Sequence, residues 1–130
     1  CTIMDARRNE VYWALYRSDS RGKLKLVVPY SAISPSALVK YVTEPVIFCG
    51  DGWQAYKDQI RETLGPLAVE ASPFFHQIRA CSVGELARRR FMLGQTDDPT
   101  TSTPVYIRPS EAEIRYPELA EKSSAIPEII

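Results

Sequence analysis

Asp5, Arg7, Arg8, Asn9 and Glu10 crowd into one short stretch between two apolar runs, Ile3-Met4 and Val11 to Tyr16. A carboxylate at the end of a strand can hold a metal ion or orient a nucleotide. Two arginines beside it can clamp a phosphate or the carboxylate of a partner. The same residues also suit a plain turn, with Asp5 as a capping or salt-bridging aspartate, Arg7 paired internally with Asp5 or Glu10, and both arginines solvated. Types and spacing alone leave these alternatives open.

Other candidates carry less. Gly50-Asp51-Gly52 follows an apolar run and precedes a helical pattern, which is where open α/β sheets bind ligands. It lacks the spacing of either phosphate-loop motif, so a strand-to-helix turn is the simpler reading. His76 is the only histidine. It could act as a base or a ligand, but no cysteine or carboxylate stands at metal spacing around it; an ordinary place at the start of a helix is expected. Cys49 and Cys81 read as buried structural thiols and Cys1 as exposed. Three cysteines without a CxxC pair argue against a disulfide framework and for a reducing cytosol. The serine-nucleophile patterns GxSxG and SxxK and the zinc motif HExxH are absent from the sequence.

The elements that must position these residues follow from periodicity. Cys1 to Ala6 reads as a strand. Val11 to Arg17 is apolar on both alternating faces, as in a strand covered on both sides. Lys23 to Val28 alternates, with Leu24, Leu26 and Val28 facing one way and lysines the other. Ser18 to Gly22 is a turn cluster, so the three runs form an antiparallel meander. Ser34-Pro35-Ser36 opens a helix through Val42, with Ser34 as N-cap and Pro35 at its first position. Pro45 to Cys49 is a short buried strand, Ala55 to Leu64 a helix stopped by Gly65-Pro66, and Leu67 to Glu70 a weaker strand. Phe75 to Leu93 reads as the longest helix. Its stripe of Ala80, Val83, Gly84, Ala87 and Phe91 is small enough to bring the axis close to a sheet or another helix. Gln95 to Thr103 is a polar loop, and Pro104 to Pro109 a short extended segment. The order β-β-β-α-β-α-(β)-α gives an α/β fold: a mixed sheet with flanking helices.

A chain of 130 residues is one domain by size. Sixteen basic and sixteen acidic residues cancel, which excludes nucleic-acid binding by bulk charge. No apolar run is long enough to span a membrane. The chain has no initiator Met and enters a strand at once; we therefore expect a piece of something longer. Residues 1–116 are read as the domain and 117–130 as a mobile tail.

Asp5-Ala6-Arg7-Arg8-Asn9-Glu10-Val11-Tyr12 resembles the "DAR-x-x-EVY" segment of the TsaB family, also called YeaZ. Pro104-Val105-Tyr106-Ile107-Arg108 resembles that family's late "PVYLR" segment. Gly50-Asp51-Gly52 falls where the family often has a glycine-containing turn, and the small-residue helix before Gly94 also fits. Together these cover Asp5 to about Glu113.

The resemblance implies the second, RNase H-like lobe of a two-lobed protein of the actin/Hsp70/sugar-kinase superfold, with the first lobe absent. It implies a cytoplasmic, non-catalytic scaffold that supports the catalytic subunit TsaD and the ATPase TsaE. Their product is N6-threonylcarbamoyladenosine at position 37 of tRNAs reading ANN codons. tRNA would be met only through the complex, and self-association into a homodimer is allowed. No cofactor, metal ligand or catalytic residue is implied. Asp5, Arg7, Arg8, Glu10, Tyr106 and Arg108 become candidate contacts to a partner or to the other lobe. The alternative within the superfold is an M22 glycoprotease-like peptidase or a nucleotide-binding phosphotransferase. In active members the corresponding hairpin is a "DxGxG"-type turn whose backbone wraps phosphate. Arg7 and Asn9 stand where those glycines are needed, and are expected to disfavour the positive φ such turns use.

Overall fold

The computed structural model describes residues 1–109 and Arg115; the 117–130 tail lies outside the described residues. Three antiparallel strands come first: β1 (Thr2–Asp5), β2 (Val11–Ser18) and β3 (Leu24–Ile33). Ile3 pairs with Trp13 and Asp5 with Val11. The meander read from the sequence is therefore present. β3 runs on to Ile33, further than its alternating stretch suggests, and irregularities in register break its pairing with β2 between Trp13 and Tyr16.

Ser34 caps α1 (Pro35–Leu38), accepting from the Ala37 amide at 3.2 Å. Beyond Leu38 the chain tightens into a 3-10 turn, Val39–Tyr41, instead of continuing as α-helix. β4 (Val46–Phe48) and β5 (Ala68–Glu70) form a parallel pair joined through α2 (Asp51–Leu64). A parallel bridge between Thr2 and Cys49 joins this pair to β1. Backbone bonds reinforce it: Cys49 N to Cys1 O at 2.9 Å, Ile3 N to Cys49 O at 2.8 Å and Cys1 N to Ile47 O at 2.8 Å. The strands thus lie in the spatial order β3-β2-β1-β4-β5, with β1 at the centre.

The core sits between this sheet and α1 with α2. Ile3, Val11, Trp13, Leu38, Val42, Phe48, Trp53 and Ile60 are all buried there. Phe48 stacks on Trp53 at 5.1 Å between ring centroids. Trp13 donates its indole N–H to Ser31 Oγ at 2.9 Å, so its polar edge is satisfied.

α2 approaches β1 closely, and the two glycines in its first turn are the reason it can. A Cβ on Gly52 would lie 2.9 Å from the Met4 carbonyl carbon. A Cβ on Gly50 would lie 2.0 Å from the Ile3 carbonyl oxygen, and Gly50 also holds φ +110°. The helix begins at Asp51, not at Ala55, because Gly50 serves as N-cap and the glycines join the helix instead of preceding it.

Three sequence expectations need correction. The apolar row of β3 is only partly covered: Val28 packs against the core, but Leu24 and Leu26 are exposed, as are Lys25 and Val27 between and beside them, because this end of the strand is uncovered on both sides. β4 is only half covered, since Ile47 alternates outward from Phe48. α3 starts at Ala80 and ends at Met92, shorter than α2, because Pro73–His76 form a 3-10 turn and Gln77 and Arg79 are extended. None of its residues is buried. Its small-residue stripe meets no sheet or helix among the described residues, and no heavy atom lies within 4 Å of the site of a Cβ on Gly84. Met4, Tyr16, Leu26, Ile47 and Val69 leave the second face of the sheet open as well. No helix of the described residues is long and apolar enough to cross a membrane.

Gly52→Ala is expected to destabilise the fold by about 1–3 kcal/mol through overpacking against backbone that cannot yield, and Gly50→Ala by more. Gly84→Ala, in open space on α3, is expected to stabilise that helix by roughly 0.5–1 kcal/mol. Urea unfolding checks the first pair and helix content the third.

Candidate functional site

The hairpin between β1 and β2 is built on Asp5. Its Oδ1 accepts from the Arg7 amide at 2.9 Å and from the Tyr56 hydroxyl at 3.3 Å. Its Oδ2 lies 3.2 Å from the Arg7 guanidinium. The Asp5 amide donates to Asp51 Oδ1 at 3.2 Å. Strand β1 supplies the carboxylate, the turn supplies the arginine, and α2 supplies Asp51 and Tyr56 from one end. The close approach of α2 to β1 brings these groups within reach.

The turn itself overturns one expectation. Arg7, Arg8 and Asn9 all adopt positive φ, at 61°, 53° and 60°. Side chains on these residues do not prevent the left-handed conformation. Asparagine tolerates it well, whereas each arginine carries a steric cost of order 1 kcal/mol. Local bonds hold the turn in place: Glu10 N donates to Arg7 O and Ala6 N to Glu10 O, both at 3.0 Å.

A distant residue completes the site. Arg108 donates Nη1 to Ala6 O at 3.4 Å, pairs through Nη2 with the Glu10 carboxylate, and lies 5.9 Å from the Tyr12 ring centroid. Its side chain is mostly covered, while Val105 and Tyr106 beside it are exposed. Of the six residues singled out in the sequence, Asp5, Arg7, Glu10 and Arg108 converge. Arg8 shares the turn. Tyr106 is 74% exposed.

Sequence reasoning missed Asp51 and Tyr56. Asp51 was hidden inside a glycine pair that reads as a turn. Tyr56 shares the helix stripe of Trp53 and Ile60 at i, i+3 and i+7, a spacing that marks it as inward-facing. Burial, then the Asp5 carboxylate, raises the Tyr56 phenol above its ordinary 10, so it stays protonated and able to donate.

The other candidates resolve differently. Gly50 and Gly52 serve packing against β1. His76 is buried at the end of a 3-10 turn, not at a helix start, with Nε2 3.5 Å from Glu70 Oε1 and no hydrogen bond closing on either nitrogen. Glu70 also pairs with Arg61 at 2.7 Å. The Trp53 indole holds the Glu70 carboxyl below its ordinary range, ahead of Arg61. Cys81 is exposed, since α3 stands clear of the core, and Cys1 and Cys49 are half-buried at the β1–β4 junction. Among the described residues no group of three His, Cys, Asp or Glu side chains converges as a metal would need. An open recess between α3 and the next loop, lined by Ala87, Arg90, Phe91, Gln95, Asp97 and Ser102, holds no converging reactive groups.

No family model matches the chain. Among curated proteins it is similar to the tRNA threonylcarbamoyladenosine biosynthesis protein TsaB of Bacillus subtilis (strain 168). The two are 29% identical over 119 residues, which is 89% of this chain and 50% of that protein. The chain spans about half the length of the curated relative it matches.

Asp5→Asn is expected to lower the Tyr56 titration toward 10 without reaching it, because burial remains. Since the folded value is raised, the stability Tyr56 contributes is fully present below pH 10 and is lost as pH rises through the folded value. Absorbance titration of the phenol in both proteins checks the shift.

Proposed function

We propose that the chain is an RNase H-like lobe of a TsaB-like protein and acts in tRNA threonylcarbamoyladenosine synthesis as a non-catalytic partner of a TsaD-type subunit, in the cytoplasm. Residues 1–116 make up the lobe in this reading, and a TsaE-type ATPase belongs to the same assembly. The carrying observation is the meeting of the two family-like segments. Asp5 to Tyr12 and Pro104 to Arg108 stand far apart in the chain, yet Arg108 binds Ala6 and Glu10 across sequence separations of 102 and 98. The likeness to the Bacillus subtilis protein over 89% of the chain supports the same reading.

The β-β-β-α-β-α order and the mixed sheet around β1 suit an RNase H-like unit. A scaffold role fits the state of the hairpin. Asp5, Glu10, Asp51 and Tyr56 are committed to one another, to backbone or to arginine, and no nucleophile faces a base. The open sheet face and the uncovered stripe of α3 are the surfaces available to the other half of such a protein.

The test is a graft. This chain replaces the matched half of Bacillus subtilis TsaB, and threonylcarbamoyladenosine formation is followed in a reconstituted reaction that lacks TsaB. Product formation above the TsaB-free reaction is expected, along with co-purification of TsaD. A folded graft that yields neither, while the unmodified Bacillus subtilis protein yields both, contradicts the proposal.

A further inference from the structure

We infer that Arg108 is a latch. With the 104–109 strap docked, the hairpin tip is held left-handed; with the strap lifted, the tip relaxes. This reading rests on the geometry of the chain alone and does not depend on the family.

Three consecutive non-glycine residues in the left-handed region form an unfavourable arrangement that persists only where its surroundings impose it. Inside the turn, Arg7 N donates to Asp5, Glu10 N to Arg7 O and Ala6 N to Glu10 O. Arg108 grips both ends of the turn at once, through the Ala6 carbonyl at its entry and the Glu10 carboxylate at its exit. A planar guanidinium can span two such acceptors, and its charge strengthens both bonds. Its guanidinium carbon lies 5.9 Å from the Tyr12 ring centroid, within cation–π range.

Among the described residues the strap is mostly exposed. Val105 and Tyr106 are exposed. From Gln77 to Ile107 the chain makes a long excursion that includes α3, none of whose residues is buried. The excursion is tied to the fold at its start by the Gly50 amide bond to Phe75 O at 3.1 Å, and at its end by Arg108. Whatever pulls on α3 or the strap therefore acts on the Arg108 contact. Release removes the clamp that presents Arg7, so the excursion and the tip form one coupled two-state unit. Arg108 is a positioning residue for the tip.

Amide hydrogen exchange in the full chain tests this. Arg108→Ala is compared with the native sequence, and again in an Arg7→Gly/Arg8→Gly/Asn9→Gly background whose tip adopts positive φ without cost. The Ala6 and Glu10 amides are expected to exchange about tenfold faster in Arg108→Ala, and less than about twofold faster when the same change is made in the glycine background. The Trp53 and Ile60 amides of α2 are expected to keep their rates. Unchanged Ala6 and Glu10 rates overturn the latch. So does equal acceleration in both backgrounds, or acceleration that includes α2, since Arg108 would then act on the whole fold and not on the tip.

Discussion

The seat of α2 against β1 is the constraint on which the rest depends. Two glycines let the helix backbone approach the carbonyls of Ile3 and Met4 more closely than any Cβ permits. That approach lets Trp53 stack on Phe48 and buries Ile60. It also places Asp51 and Tyr56 under the end of β1, where they meet Asp5. Core packing and the geometry of the candidate site therefore have one cause. The site is rigid at its base because the core is rigid there.

From that base outward, order depends increasingly on side chains. Asp5 is fixed by α2, and the turn beyond it by Asp5, by its own backbone bonds and by Arg108. A glycine-containing hairpin would adopt the same backbone unaided and leave its amides open to a phosphate. Here arginine and asparagine take the left-handed positions, and a distant arginine supplies what glycine would have supplied intrinsically. Further out, α3 and the second face of the sheet present apolar side chains without partners among the described residues. Exposed apolar faces of this kind mark surfaces for interaction.

Much of this was legible in the residues. The meander, the Ser34 cap, the parallel β4–β5 pair and the end of α2 at Gly65 all follow from local signals: alternation, a capping serine and a stop glycine. Readings failed where tertiary contact overrides the local pattern. Leu24 and Leu26 alternate like a buried row, but that end of β3 is uncovered on both sides. The stripe of α3 reads as a packing surface, yet its partner is not among the described residues. The hairpin residues were found by type and clustering; their left-handed backbone was not, because arginine gives no local signal for positive φ and the clamp comes from Arg108. Tyr56 escaped notice for a similar reason, since a phenol on an apolar stripe is indistinguishable from core until its hydroxyl finds Asp5.

The central proposal is that the hairpin holds its own side chains together and does not bind a nucleotide. Calorimetric titration of the chain with ATP and Mg²⁺ tests this most directly. The account predicts no heat of binding up to millimolar nucleotide. Micromolar affinity that is lost in Asp5→Ala would contradict it and return the hairpin to nucleotide chemistry.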